Sequence, residues 1–186
     1  MPIKTIAAPS VEPVLLADAK LHLRVDGTDE DALIGAYITA ARELAEAQTD
    51  RAYAEATYEL VSSGFGYVIV LPVPPVTAVL SVKYLDADGV EQTIAPSNYV
   101  EKLDALPPVV VPADGFEWPA TNGAADAVRV RFTAGAAPAD VPQRVKLWMM
   151  LHVTAWYENR AAVSGAALSE LPGVRALLDP ERWSWF

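Results

Sequence analysis

From Leu33 to Ala45 the chain repeats apolar residues in the rhythm of one helical face. Leu33, Ile34, Tyr37, Ile38, Ala41, Leu44 and Ala45 recur at i, i+1, i+4 and i+5, whereas Asp29, Glu30, Arg42, Glu43 and Glu46 lie mostly off that face. The spacing predicts a helix over about 29–53. Just ahead of it, Thr28 with Asp31 three residues on resembles a capping box in which aspartate replaces glutamate, which would start the helix there. The stretch "LLADAKLHLRV" predicts a shorter helix over about 15–25, ending before "DGT".

After Arg51 the period changes to two. "TYELV", "GYVIVL", "AVLSVKYL", "VEQTI" and "AVRVRFTAG" each read as a strand, giving a β region over about 57–135. In "SVKYLDADGVEQTI" the "DADG" step between two alternating runs predicts a β-hairpin, with Gly89 supplying a positive φ. The prolines of "LPVPPV" cannot donate to a ladder, so Leu71–Val76 is expected to be a linker or edge. Between 103 and 122, prolines and single aromatics interrupt every pattern, which predicts a long exposed excursion ordered by a neighbour.

Helical character returns over about 142–160, with Pro142 in the first turn, where its missing N–H costs little. Val145, Leu147, Trp148, Met149, Met150, Leu151, Val153, Ala155 and Trp156 make this helix apolar nearly all round, so burial on several sides is expected. Beyond "SGAALSELPG", a short segment "VRALLDP" leads to Trp183, Trp185 and Phe186, which alternate with polar residues. The predicted fold class is α+β: a small helical bundle from the N- and C-terminal helices, an intervening antiparallel β-sheet region and an extended C-terminal arm. The expected division is a domain over 1–165 and an arm over 166–186.

Composition narrows the chemistry. Of 186 residues, 52% are hydrophobic and 20% charged, which excludes a wholly disordered chain. The absence of cysteine removes disulfides, thiolate zinc sites and cysteine nucleophiles. A net charge of −10 repels phosphate and argues against nucleic-acid binding driven by counterion release. No stretch approaches the roughly 18 apolar residues of a membrane span, nor is the N-terminus a convincing signal peptide. A soluble protein made in the cytoplasm is the expectation.

Catalytic patterns are missing: there is no HExxH, GxSxG, P-loop or GxGxxG. His22 and His152 fall on separate predicted helices, and His152 is expected to be a hydrogen-bonded core histidine. "DADGVE" lacks the ligands of a calcium loop. "SSGFG" reads as a turn, and the acidic run "DGTDED" as charge favoured at a helix N-terminus. No catalytic, metal or cofactor site is expected.

Three stretches in order resemble the head-tail connector, or adaptor, proteins of long-tailed bacteriophages and gene transfer agents. The first, "LADAKLHLRVDGTDEDALIGAYITAARELAEAQTDRA", is similar to that family through Lys20, Leu23, Arg24, Asp31, Leu33, Ile34, Ala40, Ala41, Arg42, Glu46, Thr49 and Arg51. The second is the proline-rich step and hairpin of "LPVPPVTAVLSVKYLDADGVEQTIAPSNYV", and the third is "FTAGAAPADVPQRVKLWMMLHVTAWYENRAAV". Ala155 departs from the pattern, where a histidine or another polar residue is expected. The likeness covers roughly 15–163.

The resemblance implies a structural, non-enzymatic protein of the virion neck. Its subunits would form a ring, usually of twelve, that docks below the portal and receives stopper or tail proteins, while DNA passes through the lumen without specific binding. No cofactor, membrane or small-molecule substrate is implied. For self-association the candidates are Arg42, Glu46, Arg51, Tyr157 and Arg160, on the flanks of the two long helices. For portal binding they are Arg175, Leu177, Leu178, Pro180, Arg182, Trp183, Trp185 and Phe186, because arginine and aromatic residues dominate interface hot spots. Phe116, Glu117 and Trp118 are the expected contact to a neighbouring subunit or stopper. The alternatives are a stopper or tail-completion protein and, from another class, a monomeric binding or enzymatic module using the 103–122 loops.

Overall fold

The computed structural model describes residues 2–159 and 173–182. Two compact units appear, one of Met1–Ser10 with Glu55–Gly135, the other of Val11–Ala54 with Ala136–Phe186. The first is all β and the second helical, so the α+β class predicted from the sequence holds.

In the helical unit α1 spans Leu16–Leu23, α2 Asp31–Thr49 and α3 Gln143–Glu158. Both α1 and α2 end on a non-glycine residue in the left-handed region, Arg24 at φ 59° and Asp50 at φ 54°. The buried face of α2 is Ile34, Ile38, Ala41, Arg42, Ala45 and Thr49. These positions follow the helical period of the sequence, except that Leu44 is exposed and Arg42 takes its place inside. The expected capping box does not form: α2 begins at Asp31, no side chain caps it, and only the Asp31 N–H bonds back to the Thr28 carbonyl. The Asp31 carboxylate is taken instead by Lys20 at 2.5 Å, which ties α1 to the start of α2.

Helix α3 is not buried all round. It turns Val145, Trp148, Met149 and Val153 into the core, while Leu147 is exposed. His152 is half-buried; its Nδ1 lies 2.9 Å from the Trp148 carbonyl one turn back, and its ring stacks on Trp148. The expected hydrogen bond is made, but the histidine is half-buried and not a core residue. Around Trp148 the core gathers Val14, Ala19, Ile34, Ile38, Tyr53 and Val141, together with Val174 and Leu178 from the far C-terminal segment.

The β unit holds a five-stranded antiparallel sheet and a three-stranded one. Strands β1 (Ile3–Ala7), β2 (Ala56–Ser62), β4 (Val76–Leu85), β5 (Glu91–Ile94) and β8 (Val128–Ala134) form the larger, in the order β1-β2-β8-β4-β5. Strand β8 runs down its centre, with Val128, Val130, Phe132 and Ala134 buried and Arg129, Arg131 and Thr133 on the other face. That period of two fixes its register, seven unbroken pairs with β2.

Strand β4 pairs less regularly, with a shift between Val79 and Ser81. The Val79 N–H released there donates to the Glu101 carboxylate at 3.3 Å. The hairpin read from "DADG" joins β4 to β5: Gly89 has φ 78°, and the Asp86 carboxylate accepts from the Asp88 and Val90 N–H groups and from Gln92. These bonds, the one from Gln92 first, hold the Asp86 carboxyl below its ordinary value.

The smaller sheet corrects the sequence expectation. Strands β3 (Ile69–Val70), β7 (Val109–Pro112) and β6 (Tyr99–Lys102) pair in the order β3-β7-β6, so part of the supposed excursion is a strand with Val110 fully buried. Pro107 and Pro108 precede this strand and Pro112 is its last residue, so the prolines sit at its two ends and leave its middle free to pair.

Candidate assembly surfaces

Arg42, Glu46 and Arg51, singled out for self-association, are pins within the helical unit. Arg42 is 6% exposed. Its Nε donates to Glu12 at 2.8 Å and its Nη1 to Glu46 at 2.6 Å, while Thr39 Oγ1 donates to the other Glu12 oxygen at 2.9 Å. The second Glu46 oxygen accepts from the Tyr53 N–H at 2.8 Å. The residue thus fastens the chain before α1 and the chain after α2 to the middle of α2.

Burial works to lower the Arg42 pKa, but the charges of Glu46 and Glu12 outweigh it and hold the guanidinium above its ordinary value. Burial also raises the Glu46 carboxyl, against the pull of the Tyr53 N–H and Arg42. Arg42→Met should cost about 3 kcal/mol, because it strands two carboxylates that fold around one cation. Denaturant unfolding of the full chain measures it, and the Glu12→Gln background should recover part of the loss.

A second set of pins holds residues 173–182. Val174 and Leu178, one helical turn apart, are 8% and 0% exposed, and Glu181 is 6% exposed. The Glu181 carboxylate accepts from Arg51 Nη1 at 2.8 Å, just past the end of α2, and from Arg144 Nη2 in the first turn of α3. Two cations, one just past α2 and one in α3, thus neutralise one buried acid, the arrangement that burial of a charge requires.

Tyr53 lies close by, and burial, with the nearby charge of Glu181 adding to it, pushes its hydroxyl up from 10.0 to about 12. Below pH 10 the tyrosine is protonated in both folded and unfolded chains. Between 10 and 12 the unfolded chain gives up a proton that the fold retains, so stability must fall as pH rises through that window. Tyr53→Phe is expected to flatten this alkaline loss when unfolding is followed from pH 9 to 12.

These contacts redistribute the residues expected to meet partners. Arg42, Glu46 and Arg51 are engaged within their own chain, and Tyr157 donates to Glu30. Leu178, expected on a portal surface, is a core residue, because its side chain fills the groove of its own helical unit. Leu177 is half-buried, whereas Arg175, Pro180 and Arg182 are exposed. Arg160, Trp183, Trp185 and Phe186 lie outside the described residues.

In the β unit, Trp118 stacks flat on Phe65 with ring centroids 4.8 Å apart, and Phe116 meets its edge. The unit's own aromatics therefore order that loop, and of the three residues expected to face a neighbour only Glu117 is exposed. The outward side of α2 is a run of exposed Ala32, Ala36, Ala40, Leu44 and Ala47, and that of α3 carries Leu147 and Ala155. Leu21 on α1 is 81% exposed. Sequence reasoning missed Glu181, the residue with the densest pairing in the C-terminal segment. In "LLDPERW" it stands beside a single arginine, Arg182, a signal too local to name its partners Arg51 and Arg144.

Among the described residues no group of His, Cys, Asp and Glu is arranged to hold a metal ion, and no helix is long and apolar enough to cross a membrane.

Comparison with known proteins agrees with the likeness read from the sequence. Residues 14–85 match the family model of the phage gp6-like head-tail connector protein. No curated protein matches the chain. Among solved structures, the chain is similar over 100% of its length to a chain in the neck of an empty gene transfer agent particle computed with C6 symmetry. The identity is 26% and the TM-score 0.81, with 97% of that chain covered. It is similar at 25% identity and a TM-score of 0.79, with the same coverage, to chains in the virion of the native gene transfer agent particle and in the native neck computed with C12 symmetry.

Proposed function

We propose that the chain is a structural component of the neck of a phage-like particle, a head-tail connector of the adaptor type. The observation that carries this is a likeness in both units at once, since 100% of the chain aligns with 97% of a neck protein. The 14–85 match to a head-tail connector model supports the same role. In this role the protein is a building block with no catalytic step assigned to it.

The finer proposal is a closed ring, of twelve copies, docked below the portal and offering its lower face to stopper and tail proteins. A twelvefold average of a similar neck supports that copy number. The acidic balance of the chain suits a lumen along which DNA slides without being held. Exposed Arg175 and Arg182, followed by Trp183, Trp185 and Phe186, supply the residue types from which portal-binding hot spots are built.

Co-sedimentation tests the role. The purified chain should travel with DNA-filled heads that carry a portal and stay behind with portal-less shells. Equal binding to both, or to neither, would refute adaptor function. Attachment only after another neck protein has bound would favour the stopper position.

A further inference from the structure

The segment 173–182 and the groove that holds it form a matched donor and acceptor. Val174 and Leu178 enter the core of the helical unit, and Glu181 sits between Arg51 and Arg144. The only covalent tie between the two is the stretch from Asn159 to Gly173, "NRAAVSGAALSELPG", rich in alanine, serine and glycine. Fully extended, such a tether reaches at most about 50 Å. That exceeds the roughly 28 Å length of a helix the size of α2.

A closed ring needs heterologous contacts, in which each copy offers one surface and receives a different one. From this we infer that in the assembled ring residues 173–182 leave their own groove and fill that of the neighbouring copy, so that subunits are stitched by exchanged segments. The inference rests on the ring proposed above. Exchange conserves every contact, because each groove still receives Val174, Leu178 and Glu181 and each segment still meets Arg51 and Arg144. The tether keeps the neighbour's groove at high effective concentration once copies stand side by side. The occupant is a second copy of this chain, recognised by an apolar pair one turn apart followed by an acid that fits two arginines.

The chain contains no cysteine, so a single engineered pair reports the pairing. In the full-length Arg144→Cys, Asp179→Cys chain, Arg51 still holds Glu181. Rings assembled on portal-bearing heads are treated with a short bismaleimide and run on a denaturing gel. A ladder of covalent multimers is expected, whereas internally linked monomers alone would overturn the exchange while leaving the ring intact. Absence of any ring with the unmodified chain would refute the ring itself, and the exchange with it.

Charge reversal asks the same question should that variant fail to fold. Glu181→Arg alone and Arg51→Glu with Arg144→Glu alone should not assemble, while their equimolar mixture should. Assembly by a single chain carrying all three substitutions, with none by the mixture, would overturn the exchange.

Discussion

Removing Trp183–Phe186 is expected to abolish attachment to portal-bearing heads while leaving the helical unit folded. Buried interface aromatics typically carry 2 kcal/mol or more each, so losing two such anchors weakens binding by about a thousandfold. The place of the cut matters. A deletion starting at Pro180 would also remove Glu181 and unpair Arg51 and Arg144, so lost attachment would be confounded with a damaged core. Cutting after Arg182 keeps every described contact of the segment. Portal attachment at the unmodified level in that variant would refute the docking role, and loss of the cooperative unfolding transition would show that the aromatics serve the fold instead.

Leu178→Ala should produce one of the larger stability losses available to a single substitution here, about 3 kcal/mol within the 2–5 range of buried leucine truncations. Leu178 is fully buried in the helical core although it follows Asn159 by a long stretch of chain. Its methyl groups are therefore what hold the segment down, with Glu181 fixing orientation. A drop in the denaturant midpoint, together with proteolytic cleavage near 173–182, is the expected outcome. Arg175→Ala, at an exposed site in the same turn, should shift stability by no more than about 0.5 kcal/mol. Equal effects at the two positions would contradict the packing described for the segment.

Helix α2, strand β8 and the Gly89 hairpin were legible in the sequence, because each depends on a local period or a turn residue. The neighbours of β8 were not. Strands β2 and β4 are consecutive long strands in the chain, yet β8 inserts between them, and no local pattern announces a pairing across that distance. Strand β7 was hidden by its prolines, which punctuate a strand here instead of replacing it.

The polar positions misled for a related reason. Arg42 and Arg51 look like a solvated helix flank until Glu12 and Glu181 arrive, and Glu181 stands 130 residues from Arg51. Several residues that carry the family likeness, among them Lys20, Asp31, Arg42, Glu46 and Arg51, prove to be ion-pair positions of the helical unit. The likeness thus tracks the internal framework of the fold, whereas the surfaces proposed for assembly rest on exposure and composition.

Whether this chain forms the ring beneath the portal is tested most directly by imaging the neck of particles assembled with it. Reconstruction without imposed symmetry should reveal twelve copies in a closed ring in direct contact with the portal, around an open channel. Particles whose portal meets a different protein, with this chain absent or confined to a lower ring, would contradict the account.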